Sequence, residues 1–138
     1  MATPPVASLI DVMPTVLAAC GIEIPAHVQG RDLSPVLNGD RDALDEQYAF
    51  IEAPADSSIG IRTPRYLFGL RIDKKSRAIL DEGRVFWDLE LDPYESNNLA
   101  GLAKANEAAA ELEARLRIWH ERTPWFTDRT RFPRSNTP

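Results

Sequence analysis

A single cysteine, Cys20, stands in 138 residues. No intrachain disulfide can form, and nothing in the cysteine usage asks for an oxidising compartment. Only two histidines are present, His27 and His120, too few for a metal site without distant carboxylates. No hydroxyl or thiol nucleophile lies beside a base at a recognisable spacing. No apolar run approaches the roughly 18 residues of a spanning helix. The opening Met1-Ala-Thr-Pro-Pro5 lacks a basic stretch followed by an apolar core, so it does not read as a secretory leader. The expectation is a cytoplasmic chain with no membrane association.

What is present describes a globular domain. Hydrophobic residues at 43% and charged ones at 27% are ordinary for such a chain, and the length suits one domain with a modest core. The net charge of −5 argues against a general nucleic-acid binder. Charge is uneven, however. From Arg115 onward six arginines face only Glu121 and Asp128, a net of +4, which leaves about −9 for the rest.

The most structured stretch runs from Phe86 to Ala100. Val85, Trp87, Leu89 and Leu91 alternate with Phe86, Asp88, Glu90 and Asp92, the period of a strand with one wet face. Asp88, Glu90 and Asp92 on that face could bind a cation, but solvated strand is the default. Asp92-Pro93-Tyr94-Glu95 reads as a β-turn, with Pro presetting φ at the second position. Asn97 or Asn98 then suits an N-cap.

Earlier in the chain, Asp11 is expected to cap a helix whose first turn tolerates Pro14. Met13, Val16, Leu17 and Cys20 form its apolar stripe, with Cys20 read as a core thiol, and Gly21 stops it. A Pro-containing loop carries His27 and leads through Gly30-Arg31 to a second short helix. Ser34 or Asp32 can cap that helix, Pro35 suits its first turn and Gly39 ends it. Asp40, Asp42, Asp45 and Glu46 read as a solvated acidic linker.

Beyond Gln47 the pattern changes to strands. They are centred on Tyr48–Glu52, Ile59–Ile61, Tyr66–Ile72 and residues 84–91, with turns at Thr63-Pro64, Asp73–Ser76 and Asp81–Gly83. Connections this short cannot support parallel crossovers, so an antiparallel meander is predicted. A final helix is predicted from residue 102 or 103 to 121. Ala105, Ala109, Leu112, Leu116 and Trp119 make its stripe, and Glu111–Arg115 and Glu113–Arg117 are favourable pairs worth about 0.3–0.5 kcal/mol each. His120, near its C-terminus, is suited to the helix dipole as an imidazolium. The fold class is α+β: about four antiparallel strands against a long C-terminal helix, preceded by two short helices. The expected division is a helical segment over 1–46, an α+β unit over 47–126 and a mobile basic tail over 127–138.

Four motifs carry a resemblance. They are Asp-x-x-Pro-Thr-x-Leu followed by Ala-x-Gly at 11–21, and Gly-Arg-x-Leu-x-Pro-x-Leu at 30–37. The others are Ile-Arg-Thr-Pro-Arg-Tyr at 61–66 and the aromatic-Asp-Leu, Asp-Pro, Glu, Asn-Leu-Ala run at 87–100. Together they resemble the C-terminal region of the type I sulfatases, of the alkaline-phosphatase-like superfamily. Leu67-Phe68 stand where Lys-Tyr is usual in that family. The resemblance implies that the helix at 11–20 ends a catalytic α/β domain and that the sheet is a C-terminal subdomain. In whole members, formylglycine made from a Cys/Ser-x-Pro-x-Arg motif and a calcium ion held by Asp/Asn residues break the sulfate ester, assisted by Lys and His. Those parts lie upstream of the matching segment. Cys20 is followed by Gly-Ile-Glu-Ile, outside the maturation motif, so no catalytic residue, metal ligand or cofactor is assigned to this chain.

His27 and Arg31 lie in a loop that the resemblance places towards the substrate side, which makes them substrate-subsite candidates. For Arg31 a structural salt bridge serves as well as a bound anion. The stripe at 11–20 needs a cover, and a homodimer, with or without exchanged helices, or association with a catalytic chain is expected. Three functional readings follow. The chain is a structural or interaction module that is inactive alone, or part of an active hydrolase whose catalytic half is elsewhere or supplied in trans. The third is a small nucleic-acid-binding domain using sheet aromatics and the arginine-rich end, which the acidic remainder disfavours.

Overall fold

The computed structural model describes residues 5–40, 43–44, 47–53, 57–102 and 107–123. Asp42, Asp45 and Glu46 of the acidic linker, Ala105 at the head of the last stripe and the tail at 127–138 lie outside the described residues.

Strands β1 (Ala49–Ala53), β2 (Ser58–Arg62), β3 (Tyr66–Arg71) and β4 (Val85–Asp88) form one sheet in chain order, each antiparallel to the next. The turn between β2 and β3 follows from its residues. Pro64 fixes the corner, the Thr63 N–H donates to the Tyr66 carbonyl at 2.8 Å, and the Tyr66 N–H returns to Thr63 Oγ1 at 2.8 Å. Between β3 and β4, Asp73 Oδ1 accepts the N–H groups of Lys75 and Ser76, and the reversal is completed by Arg77 at φ +61°.

Cross-strand register places Phe50 opposite Ile61, Ile61 opposite Phe68, and Phe68 opposite Phe86. Side chains two apart along each strand share a face, so Phe50, Ile59, Ile61, Phe68, Leu70 and Phe86 line one side. The helix α3 (Glu107–Arg122) covers it with Ala109, Leu112 and Leu116, and Trp119 stacks on Phe50 at 4.7 Å. Ile61 and Leu116 are both 0% exposed, and burying such side chains contributes about 1.5–3 kcal/mol each. The expected pairs form, Arg115–Glu111 at 3.0 Å and Arg117–Glu113 at 2.7 Å, and Arg84 also reaches Glu113, tying the head of β4 to the helix.

Two faces are the reverse of expectation. In β4, Phe86 and Asp88 are buried, while Val85 and Trp87 occupy the opposite side of the sheet. The strand also stops at Asp88. Its Oδ1 accepts the N–H groups of Glu90 and Leu91, which curls the chain and leaves Leu91 79% exposed. The Asp92–Glu95 turn follows as expected, closed by Glu95 N–H to Asp92 O at 3.1 Å. Asn98 then binds Phe86 N–H and Ala100 N–H through one oxygen.

The second reversal is in α1 (Val12–Ala19), which a 3-10 turn at Leu9–Asp11 precedes. Met13 and Val16 are more than half exposed and Cys20 is exposed, whereas Asp11, Pro14 and Thr15 are buried. Asp11 and Thr15 face this chain's own interior, and Met13 and Val16 face outward. Gly21 ends the helix as expected: at φ +68° it lets Ile22 N–H reach the Leu17 carbonyl and its own N–H reach Ala18. The same closure at Gly39 ends α2 (Ser34–Leu37), whose first N–H is held by Asp32 Oδ1.

Candidate functional site

The two sequence candidates sit on the loop between α1 and α2, but they do not converge. His27 is exposed at the turn where Val28 N–H meets the Pro25 carbonyl. Arg31 is turned inward on Asp11. Asp11 Oδ1 accepts the Arg31 backbone N–H at 2.8 Å, and Oδ2 accepts an Arg31 guanidinium N–H at 2.9 Å and Ser8 N–H at 2.8 Å. The same Arg31 nitrogen donates to the Val6 carbonyl at 3.0 Å. Asp11 therefore does not cap α1 with its side chain; it ties the segment before α1 to the far end of the loop.

Thr15 completes the corner. Its hydroxyl donates to the Asp11 carbonyl at 2.6 Å and accepts Leu33 N–H at 3.0 Å. Gly30 is required at its closest point, because a Cβ there would run into the Ile10 carbonyl oxygen and φ is +104°. Burial pushes the Asp11 carboxyl up, but the Arg31 guanidinium and the N–H groups of Arg31 and Ser8 outweigh it and hold the carboxyl below its ordinary value. Of the two roles open to Arg31, the structure shows the salt bridge.

This corner sets the aim of α1. With Asp11 and Thr15 fixed inward, Leu9 is 90% exposed, and Ile10, Val12, Met13 and Val16 project beside it at 54–56%. Five large apolar side chains on two turns form a contiguous outward surface of the kind that marks an interaction site.

A second ionic corner lies on the sheet. Arg65 gives Nε and Nη2 to Asp88 Oδ2 at 3.1 and 2.8 Å, approaches Glu90 at 3.4 Å and lies 5.0 Å from the Tyr66 ring centroid. The hydrogen bond from Arg65 keeps the Asp88 carboxyl below the usual carboxylate range, against the push of burial. Of Asp88, Glu90 and Asp92, weighed above as a cation face with solvated strand as the default, Asp88 is occupied by a guanidinium. Among the described residues, no three His, Cys, Asp or Glu side chains gather to hold a metal ion. His120 lies near the C-terminal end of α3. It is buried, with Nδ1 3.0 Å from Arg77 Nη2 and Nε2 2.9 Å from the Arg77 carbonyl, so both ring nitrogens face Arg77.

A four-stranded meander backed by one long helix, with the Asp-Pro turn leaving its last strand, defines the C-terminal α+β subdomain of a sulfatase. A family model described as N-sulphoglucosamine sulphohydrolase, C-terminal, matches residues 3–122. The chain belongs to that family. An endo-4-O-sulfatase of Bacteroides thetaiotaomicron is 31% identical over 86% of this chain and 27% of its own length. An N-acetylglucosamine-6-O-sulfatase of the same organism is 34% identical over 75% of this chain and 19% of its own. Among solved structures, one in complex with its substrate D-glucosamine-2-N,6-O-disulfate superposes with a TM-score of 0.64 at 29% identity. That superposition covers 80% of this chain and 23% of the other. The chain spans about a quarter or less of these relatives. Among the described residues no helix is long and apolar enough to cross a membrane.

Proposed function

We propose that this chain is the closing part of a sulfate-ester hydrolase acting on a sulfated sugar, and that it works by docking α1 onto a catalytic body rather than by chemistry of its own. The single observation that carries the docking is the outward apolar face of Leu9, Ile10, Val12, Met13 and Val16. A surface of this kind is stable only when covered. The occupant is the catalytic α/β body, because the relatives extend this domain by some three-quarters of their length. Their names supply the substrate class.

The residues described here do not suit the calcium and formylglycine of whole sulfatases. Among the described residues no donor cluster gathers, and Cys20 is followed by Gly-Ile-Glu-Ile. No step is derived through either group. Through its pair with Asp11, Arg31 holds the loop that presents His27, and both stay proposed as substrate-subsite residues.

The test is reconstitution. Alone with calcium and an aryl sulfate, the 138-residue chain is expected to give no turnover. Adding a catalytic part that carries Cys/Ser-x-Pro-x-Arg restores turnover, and Met13→Asp with Val16→Asp abolishes the restoration while leaving the chain's own melting unchanged. Turnover by the chain alone, or restoration indifferent to those substitutions, overturns the reading. A stable homodimer that excludes the catalytic part also overturns it.

A further inference from the structure

The side of the sheet away from α3 belongs neither to the α1 seam nor to the Asp11 corner. Leu67 and Trp87 face each other across β3 and β4, Val85 lies opposite Gly69, and Ile51 lies opposite Gly60. The two glycines keep this surface low; a Cβ at Gly69 would approach Val85 Cγ2 to 2.8 Å. An open groove of about 920 Å³ results, within the size range of small-molecule sites.

Arg71 stands at its rim. The Arg71 stem lies against Gly83, where φ is +76° and a Cβ would collide with Arg71 Cγ. The other charged pairs near the groove are committed, Arg84 to Glu113 and Arg62 to Glu95. Arg71 makes no ion pair with any described carboxylate, and Glu82 is the remaining charged side chain on the rim. A supported guanidinium that makes no ion pair with a described carboxylate, beside an aromatic and aliphatic floor, is complementary to an anion borne on a ring. The apolar face of a pyranose lies on Trp87 and Leu67. Its exocyclic anion takes the parallel N–H groups of Arg71, and Glu82 accepts from ring hydroxyls.

We infer that this groove binds one sulfated pyranose unit, at a place separate from hydrolysis. The choice of a sulfate ester as the anion rests on the proposed function; the groove itself does not. The ligand is glucosamine-2-N,6-O-disulfate in the decisive experiment, titrated into the 138-residue chain by calorimetry and by ligand-observed magnetic resonance. Glucosamine, glucuronate and inorganic sulfate are the comparison arms. Saturable binding of the disulfate is expected, with each comparison arm weaker by roughly fivefold or more. Arg71→Gln and Trp87→Leu should each weaken it by a similar factor. Arg122→Gln, an exposed arginine at the end of α3, should leave it unchanged. Should Trp87→Leu fail to fold, Ile51→Asp at the groove edge gives the same reading. No binding, binding unchanged in Arg71→Gln, or equal binding of inorganic sulfate overturns the inference. Equal binding of glucuronate overturns the sulfate assignment. None of these readouts involves turnover, so their failure is distinct from a failure of reconstitution.

Discussion

Asp11 and Asp88 are buried carboxylates that share one logic. Each is held charged by an arginine on a distant stretch and by nearby N–H groups. Asp11→Ala would leave the Ser8 and Arg31 N–H groups without their acceptor, at a cost of about 2–3 kcal/mol. The accompanying loss of amide-exchange protection at Ser8 and Arg31 is the direct measurement. Both carboxyls titrate below the ordinary 3.8 in the folded chain. Their stabilisation is therefore complete above that value and is lost as pH falls below it towards the lower folded values. Denaturant unfolding should show a flat free energy through neutral pH and a decline below about pH 4. Asp88→Asn should make that acid limb shallower while lowering stability at neutral pH. Neither partnership was legible in the sequence. Arg65 lies 23 residues before Asp88, and nothing in the alternation at 85–92 reveals that an acidic residue takes the inner position because a guanidinium meets it there.

Among the elements, α3 was the most legible. Its stripe steps by 3 and 4, and Ala109, Leu112 and Leu116 of that stripe are buried, together with His120. The meander was equally plain, because its turns are too short for any other connection. Leu116→Ala, at a site with 0% exposure, should cost about 2–5 kcal/mol by chemical denaturation. Ala114→Ser on the exposed side of the same helix should cost less than about 0.5 kcal/mol. In α1 the periodicity was read correctly and the stripe stands uncovered by this chain, as expected, but Cys20, read as a core thiol, is exposed. Spacing tells which residues share a face; it cannot tell whether the cover comes from this chain or from outside it. The buried side is instead occupied by Asp11, Pro14 and Thr15, whose fit depends on Gly30 and Arg31 after the loop.

At the scale of the molecule, the core cluster is built from β2, β3, Ile72, β4 and α3, and α1 and α2 contribute none of its side chains. Residues 47–126 are accordingly proposed as a separable unit. Deleting 1–46 should leave a cooperative thermal transition and the near-ultraviolet signal of the stacked Phe50–Trp119 pair. Loss of both would place the missing cohesion in the deleted segment.

The succession of strands in the order in which they are encoded has one more effect. Each new strand meets a neighbour already made, so the closures are local and their entropic toll is small. During synthesis the sheet can assemble hairpin by hairpin and wait only for α3 to seal it, while the sticky α1 has emerged long before. Its outward apolar face is thus made before the unit that follows it is sealed.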